Sequence, residues 1–173
     1  RDRPVIEALG RRLHDQGIVA GRQDHGHVDA AARGGAVTQD ASGHWVAAQV
    51  IAGQGSVGLE LAEQAQEAGI AKAPVFVCCG GGGLSSGIAL AFEARAPGLR
   101  VRTAEPQGFD DMARSLASGR HERNPAPAGS IGDAILTPSP GELTLPILAR
   151  LAGPGAVITD DQALQAMALA FTH

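Results

Sequence analysis

The chain is predicted to adopt an α/β fold, a parallel sheet flanked by helices. Three observations carry that expectation. Apolar or alternating runs at 74–78, 99–104 and 156–158 are separated by segments long enough for helices. Four consecutive glycines, Gly80 to Gly83, join the first run to a small-residue helical stretch beginning at Leu84. Capping-box patterns stand before the last two helical stretches, at Ser139-Pro140-Gly141-Glu142 and Thr159-Asp160-Asp161-Gln162.

The elements follow in order. Val5, Ile6, Leu9 and Leu13 share one face of a helix over 4–16, closed by Gly17. Periodicity then fades from Ile18 to about Trp45, a stretch read as loop with some helix near Val28 to Arg33. Val50-Ile51-Ala52 is an apolar run, Gly53-Gln54-Gly55-Ser56 a glycine-flanked turn, and a helix continues to about Ala68. Strand 74–78 and a helix from Leu84 to Arg95 come next, stopped by Pro97-Gly98. In strand 99–104, Leu99, Val101 and Thr103 alternate with Arg100 and Arg102. A helix from about Asp110 to Ala117 precedes a long Pro/Gly loop, 119–137. A helix to Leu151, a strand at 156–158 and a helix through Phe171 complete the chain.

Bulk properties narrow the function. At 173 residues the chain has the length of one domain with a real core. A net charge of −4 without a basic stripe, no tyrosine and one tryptophan argue against nucleic acid as a partner. No apolar stretch is long enough for a bilayer and no secretory pattern opens the chain, so a cytoplasmic location is expected. Cys78 and Cys79 are neighbours on a strand and point to opposite faces, so they read as small buried thiols rather than a disulfide. His25, His27 and His44 lack acidic or cysteine partners at ligand spacing and read as solvated loop residues.

The glycine turn is the chemical feature. A glycine turn opening a helix aims several backbone N–H groups and the positive end of the helix dipole at one spot, which suits a phosphate. In a parallel sheet that spot lies beyond the carboxyl ends of the strands, where ligands bind. No lysine follows the glycines, so a nucleotide P-loop is excluded. Glu105, ending the next strand, fits the acidic position of a dinucleotide fingerprint loosely, and NAD stays open as an alternative. A non-catalytic phosphate- or nucleotide-binding domain is the competing reading.

The wider context is more specific. Val75 through Ala89, with Gly80-Gly81-Gly82-Gly83-Leu84-Ser85-Ser86-Gly87 at its centre, resembles the phosphate loop of fold-type II pyridoxal-phosphate enzymes, in particular the serine/threonine dehydratase and serine racemase group. Ile51-Ala52-Gly53-Gln54-Gly55-Ser56, Ala104 through Asp111, Ser130-Ile131-Gly132-Asp133-Ala134 and Thr137 through Thr144 continue the resemblance in the same order, over roughly 48–171. The resemblance implies that 48–173 is part of a large, tryptophan synthase β-like cofactor domain. Residues 1–47 would be the tail of the small domain plus a divergent linker. It implies that Gly80, Gly81, Gly82, Gly83 and the N–H of Leu84 hold the phosphate of pyridoxal 5′-phosphate. It further implies that Glu105, the Phe109 carbonyl and Asp111 hold a divalent cation, hard oxygen ligands suited to Mg²⁺ or Ca²⁺. The competing reading of Asp110 and Asp111 is that they cap the following helix.

The activity implied is dehydration of a small hydroxy amino acid by β-elimination, giving a 2-oxo acid and ammonia, with racemisation as the alternative. A homodimer is implied for the full-length protein. No catalytic residue is assigned in this chain. The family lysine lies in a Ser-Phe-Lys-type motif that is absent here, and the sole lysine, Lys72, stands before strand 74–78, at the end away from the glycines. The chain therefore reads as an interior fragment, inactive by itself, whose incomplete sheet should leave strand edges and apolar surface uncovered and favour self-association.

Overall fold

The computed structural model describes residues 37–39 and 45–172. The helix expected over 4–16, the helical stretch near Val28 to Arg33 and the three loop histidines lie outside the described residues.

Two short strands, β1 (Val37–Gln39) and β2 (Trp45–Ala47), pair antiparallel where the sequence shows no periodicity and suggests a loop. Helix α1 (Ala48–Glu67) follows directly. The main sheet is parallel, in the order β3 (Ala73–Cys78), β4 (Leu99–Pro106), β5 (Ala156–Ile158). Helix α2 (Gly83–Arg95) connects β3 to β4. Helix α3 (Asp111–Ser118), a 3₁₀ turn at Asp133–Ile135 and helix α4 (Thr144–Leu151) lie between β4 and β5, and α5 (Asp160–Thr172) closes the chain. Strands β3 and β4 pair from Ala73↔Leu99 to Cys78↔Ala104, whereas β5 pairs only with Ala104 to Pro106. The sheet is therefore widest at its carboxyl end.

Helix α2 is the axis of the core. Every residue from Ser85 to Phe92 is buried, and the helix contacts α1, α4, β3 and β4. Val77, Ile88, Phe92, Val101, Met112 and Leu148 pack on its sheet side, while Ile51, Ala52, Leu90 and Ile147 form a second cluster with α1 and α4. A helix buried this fully must be made of small and apolar residues, which explains its composition.

The predicted turn at Gly53 to Ser56 does not form; α1 runs through it unbroken. Helix propensity disfavours glycine by about 1 kcal/mol, but close packing of α1 on α2 outweighs it. A Cβ on Gly87 would lie 2.4 Å from the Ile51 carbonyl oxygen and 2.7 Å from the Gly55 nitrogen. The two backbones nearly touch at this crossing. The capping box expected at Ser139 is also absent: α4 begins at Thr144, and the Ser139 hydroxyl is buried without a partner. Gly141 uses its N–H elsewhere, on the Gly81 carbonyl at 3.1 Å. The second box does form: the Thr159 N–H donates to Gln162 Oε1 at 2.9 Å and the Gln162 N–H to Thr159 Oγ1 at 3.2 Å.

One sheet face lacks a helical cover along β3. Pro74, Phe76 and Cys78 are exposed there, and Arg102 stacks over the Phe76 ring at 5.0 Å. Of the adjacent cysteines, then, only Cys79 is buried; both are free thiols. Leu164, Met167, Leu169 and Phe171 of α5 are exposed as well. No described helix is long and apolar enough to cross a membrane.

Candidate functional site

The ladder of β3 extends one residue past the strand, where the Cys79 N–H donates to the Ala104 carbonyl at 3.0 Å. Gly80, Gly81 and Gly82 then turn the chain into α2. Gly82 sits in the left-handed region, φ 89° and ψ 5°, as the N-cap of α2, and no side chain caps this helix. No described residue accepts a hydrogen bond from the amides of Gly80 to Ser85. This is the array of free donors that a helix N-terminus presents to an anion.

The glycines have different reasons to be glycine. A Cβ on Gly82 would meet Met112 Cε at 2.7 Å and Thr144 Oγ1 at 2.9 Å, and one on Gly80 would meet Thr137 Cγ2 at 3.1 Å. Gly83 is unlike them: its φ is not positive and its Cβ would meet nothing within 4 Å. Nothing described in the protein demands glycine there. A ligand lying against the backbone would.

Two groups hold the turn from behind. Thr144 Oγ1 donates to the Gly81 carbonyl at 2.5 Å, beside the Gly141 N–H on the same oxygen. The Ser86 hydroxyl is directed back at the Thr144 carbonyl at 3.5 Å. Thr144 is wholly buried. The Leu84 side chain is exposed.

A cavity of about 220 Å³ opens at the carboxyl ends of the three strands, its walls including Cys78, Ala104, Pro106, Gly132, Ile135 and Ile158. It adjoins the glycine turn, because Ile135 also lies 3.4 Å from where a Gly80 Cβ would be. A further cavity of about 230 Å³ lies among Phe92, Leu99, Arg100 and Leu151, where Arg150 pairs with Glu93, and contains none of the predicted site residues.

Of the expected cation ligands, Asp111 opens α3 and the Glu105 carboxylate reaches the first turn of that helix. Asp110 is the N-cap residue of α3, but its side chain makes no cap bond. The preceding strand supplies the cap instead: the N–H groups of Met112 and Ala113 donate to Glu105 Oε1 and Oε2, both at 2.8 Å. Glu105 is buried, and burial pushes its carboxyl up to about 8 against the pull of these two amides. Asp111 is also buried; one oxygen accepts from Asn124 Nδ2 at 2.5 Å, and Oδ2 has no partner. Burial raises its carboxyl to about 6. Phe109 is buried between them in sequence, its N–H donating to the Pro106 carbonyl at 2.9 Å. Among the described residues no group of three or more His, Cys, Asp or Glu side chains is suited to a metal ion. Behind the turn, burial and the nearby Glu105 push the Cys79 thiol up, with the Ser85 hydroxyl set against it.

Lys72 is exposed, one residue before β3 begins, at the opposite end of that strand from the glycines. Thr144, Gly141 and Asn124 were not singled out from the sequence as parts of the site. Asn124 ties the long loop to α3 by donating to both Asp111 Oδ1 and the Thr137 carbonyl, and its own Oδ1 accepts from Arg114.

Comparison with known proteins gives a consistent picture. A family model described as pyridoxal-phosphate dependent enzyme matches residues 4–173. Serine racemase of Dictyostelium discoideum is 40% identical over 122 residues, 70% of this chain and 36% of that protein. L-threonine ammonia-lyase of Thermotoga maritima is 30% identical over 118 residues, 68% of this chain and 28% of that protein. Among solved structures, a threonine deaminase from T.th. matches with a TM-score of 0.68 at 41% identity, covering 72% of this chain and 45% of the other. Maize serine racemase matches at 0.64 and 37%, covering 71% and 36%. The chain thus spans about a third of the length of the curated relatives it matches.

Proposed function

The chain belongs to the pyridoxal-phosphate dependent enzyme family, and from that premise we propose that residues 48–173 form the phosphate-holding part of the large domain of an enzyme acting on a small hydroxy amino acid. The reaction proposed is β-elimination to a 2-oxo acid and ammonia, as the likeness to threonine deaminase suggests. Racemisation is the second reading, favoured by the relatives named serine racemase. Both begin with loss of the proton from the substrate Cα, and the bound cofactor supplies the electron sink for that step.

One observation carries the cofactor reading: the unpartnered amides at the N-terminus of α2, with space left open at Gly83. The N–H groups of Gly82, Gly83 and Leu84 would hold the phosphate, and the helix dipole would favour its charge. Cys78, Pro106 and Ile135 would line the adjoining cavity. Lys72 is too far along the sheet to act on a substrate there. In this reading the residues of this chain bind and orient; none of them transfers the proton.

Glu105, Asp111 and the Phe109 carbonyl are the ligands proposed for a hard cation, a reading supported by two buried carboxylates and by the unpartnered Oδ2 of Asp111. The sign of the pH effect follows. Both folded carboxyls hold protons more tightly than unfolded ones, so their stabilisation is complete below about pH 4 and is lost as pH rises through about 6 and then 8. In EDTA the thermal midpoint should fall by about 5 °C or more between pH 5 and 8.5. Glu105→Gln should flatten that slope, and calcium or magnesium should oppose the fall. A midpoint indifferent to metal at pH 8.5 rejects the cation site.

The cofactor reading is tested in a Lys72→Ala background, which removes the only side-chain amine able to capture an aldehyde. Pyridoxal 5′-phosphate should bind at least about tenfold more tightly than pyridoxal, and inorganic phosphate should compete. Equal affinity for the two aldehydes sinks the reading. Tight NAD binding without a response to pyridoxal phosphate supports the nucleotide-binding alternative.

A further inference from the structure

We propose that Thr144 is a positioning residue that sets the direction of the anion-binding amide at Gly82; this rests on the reading that the glycine turn holds a phosphate. The Gly81 carbonyl accepts two hydrogen bonds from behind the turn, from Thr144 Oγ1 and from the Gly141 N–H at 3.1 Å. The peptide joining Gly81 to Gly82 is trans, as are all the described peptide bonds. In a trans peptide the carbonyl and the following N–H point in opposite directions. Holding the Gly81 oxygen against α4 therefore turns the Gly82 N–H away from it, toward the free N-terminus of α2.

The alternative orientation is the damaging one. Glycines on both sides give this peptide little intrinsic preference. A flip would present the Gly81 oxygen where the anion lies and withdraw a donor. Thr144 opposes the flip from a fixed base: it is wholly buried at the first turn of α4, and its hydroxyl also reaches the Gly141 carbonyl at 3.1 Å. Gly82 packs against it so closely that a Cβ would lie 2.9 Å from the hydroxyl oxygen. Thr144 itself offers the ligand nothing; it acts through the Gly81–Gly82 peptide.

The experiment compares Thr144→Val, which keeps the shape and removes the donor, with Thr144→Ser, which keeps the donor. Each is made in the 173-residue chain carrying Lys72→Ala. Affinity for inorganic phosphate and for pyridoxal 5′-phosphate is measured, with pyridoxal as the phosphate-free control, and the Gly82 amide resonance is followed in the free protein. Thr144→Val should weaken phosphate and pyridoxal 5′-phosphate about tenfold and leave pyridoxal unchanged. It should also shift the Gly82 amide before any ligand is added. Thr144→Ser should restore both. The thermal midpoint of each variant identifies loss of folding; should Thr144→Val unfold, Thr144→Ala and Thr144→Ser carry the same comparison. Phosphate-dependent binding that survives removal of the hydroxyl overturns the positioning role and leaves the cradle standing. Absence of phosphate-dependent binding in the parent chain overturns both.

Discussion

Gly87→Ala is expected to cost about 3 kcal/mol and lower the thermal midpoint by roughly 6–12 °C. The added methyl would fall 2.4 Å from the Ile51 carbonyl oxygen, 2.7 Å from the Gly55 nitrogen and 2.8 Å from the Gln54 carbonyl carbon. All three are backbone atoms of α1, so no rotamer change relieves the contact; the helices must separate. Separation would loosen both core clusters, since α2 carries Ile88 and Phe92 on one side and Leu90 on the other. Gly53→Ala, in α1 but with nothing within 4 Å of the new atom, is the control. It should stabilise the chain by up to about 1 kcal/mol through helix propensity alone. Calorimetry or thermal circular dichroism reads both. Equal effects at the two positions would mean that the crossing is not as close as described.

The second large effect is on binding, and it separates Gly82 from Gly83. Gly82→Ala places a side chain in a left-handed conformation, costing about 1–2 kcal/mol, and drives it against Met112 and Thr144. Both stability and phosphate affinity should fall. Gly83→Ala fills a space that the protein leaves open, at a helical position where alanine is favoured over glycine. The folded chain should be as stable as before or slightly more so, while affinity for pyridoxal 5′-phosphate falls about tenfold or more because a methyl occupies the approach. Unchanged affinity in Gly83→Ala would show that the ligand does not lie against this backbone.

Much of this was legible because the signals are local. The Thr159 box, the strand alternation of Leu99, Val101 and Thr103, and the glycine turn each rest on residues within a few positions of one another. The misreadings came where distant partners intervened. Gly53 and Gly55 look like a turn until α2 is seen crossing α1 at Gly87. Ser139 to Glu142 looks like a cap until Gly141 is seen spending its amide on Gly81. Nothing near Glu105 in sequence announces that it caps α3 from the strand before. Thr144 was illegible for the same reason: its partner carbonyl lies 63 residues away.

The groups that would grip the phosphate at Gly82, Gly83 and Leu84 are main-chain amides, and every residue other than proline carries one. A point mutation to any other residue cannot delete such a group; it can only displace it. The chemistry of the turn is therefore robust to sequence drift, and its vulnerability is geometric. Selection for binding would act chiefly on residues that never meet the ligand, through the volume at Met112, the hydroxyl at Thr144 and the emptiness beside Gly83.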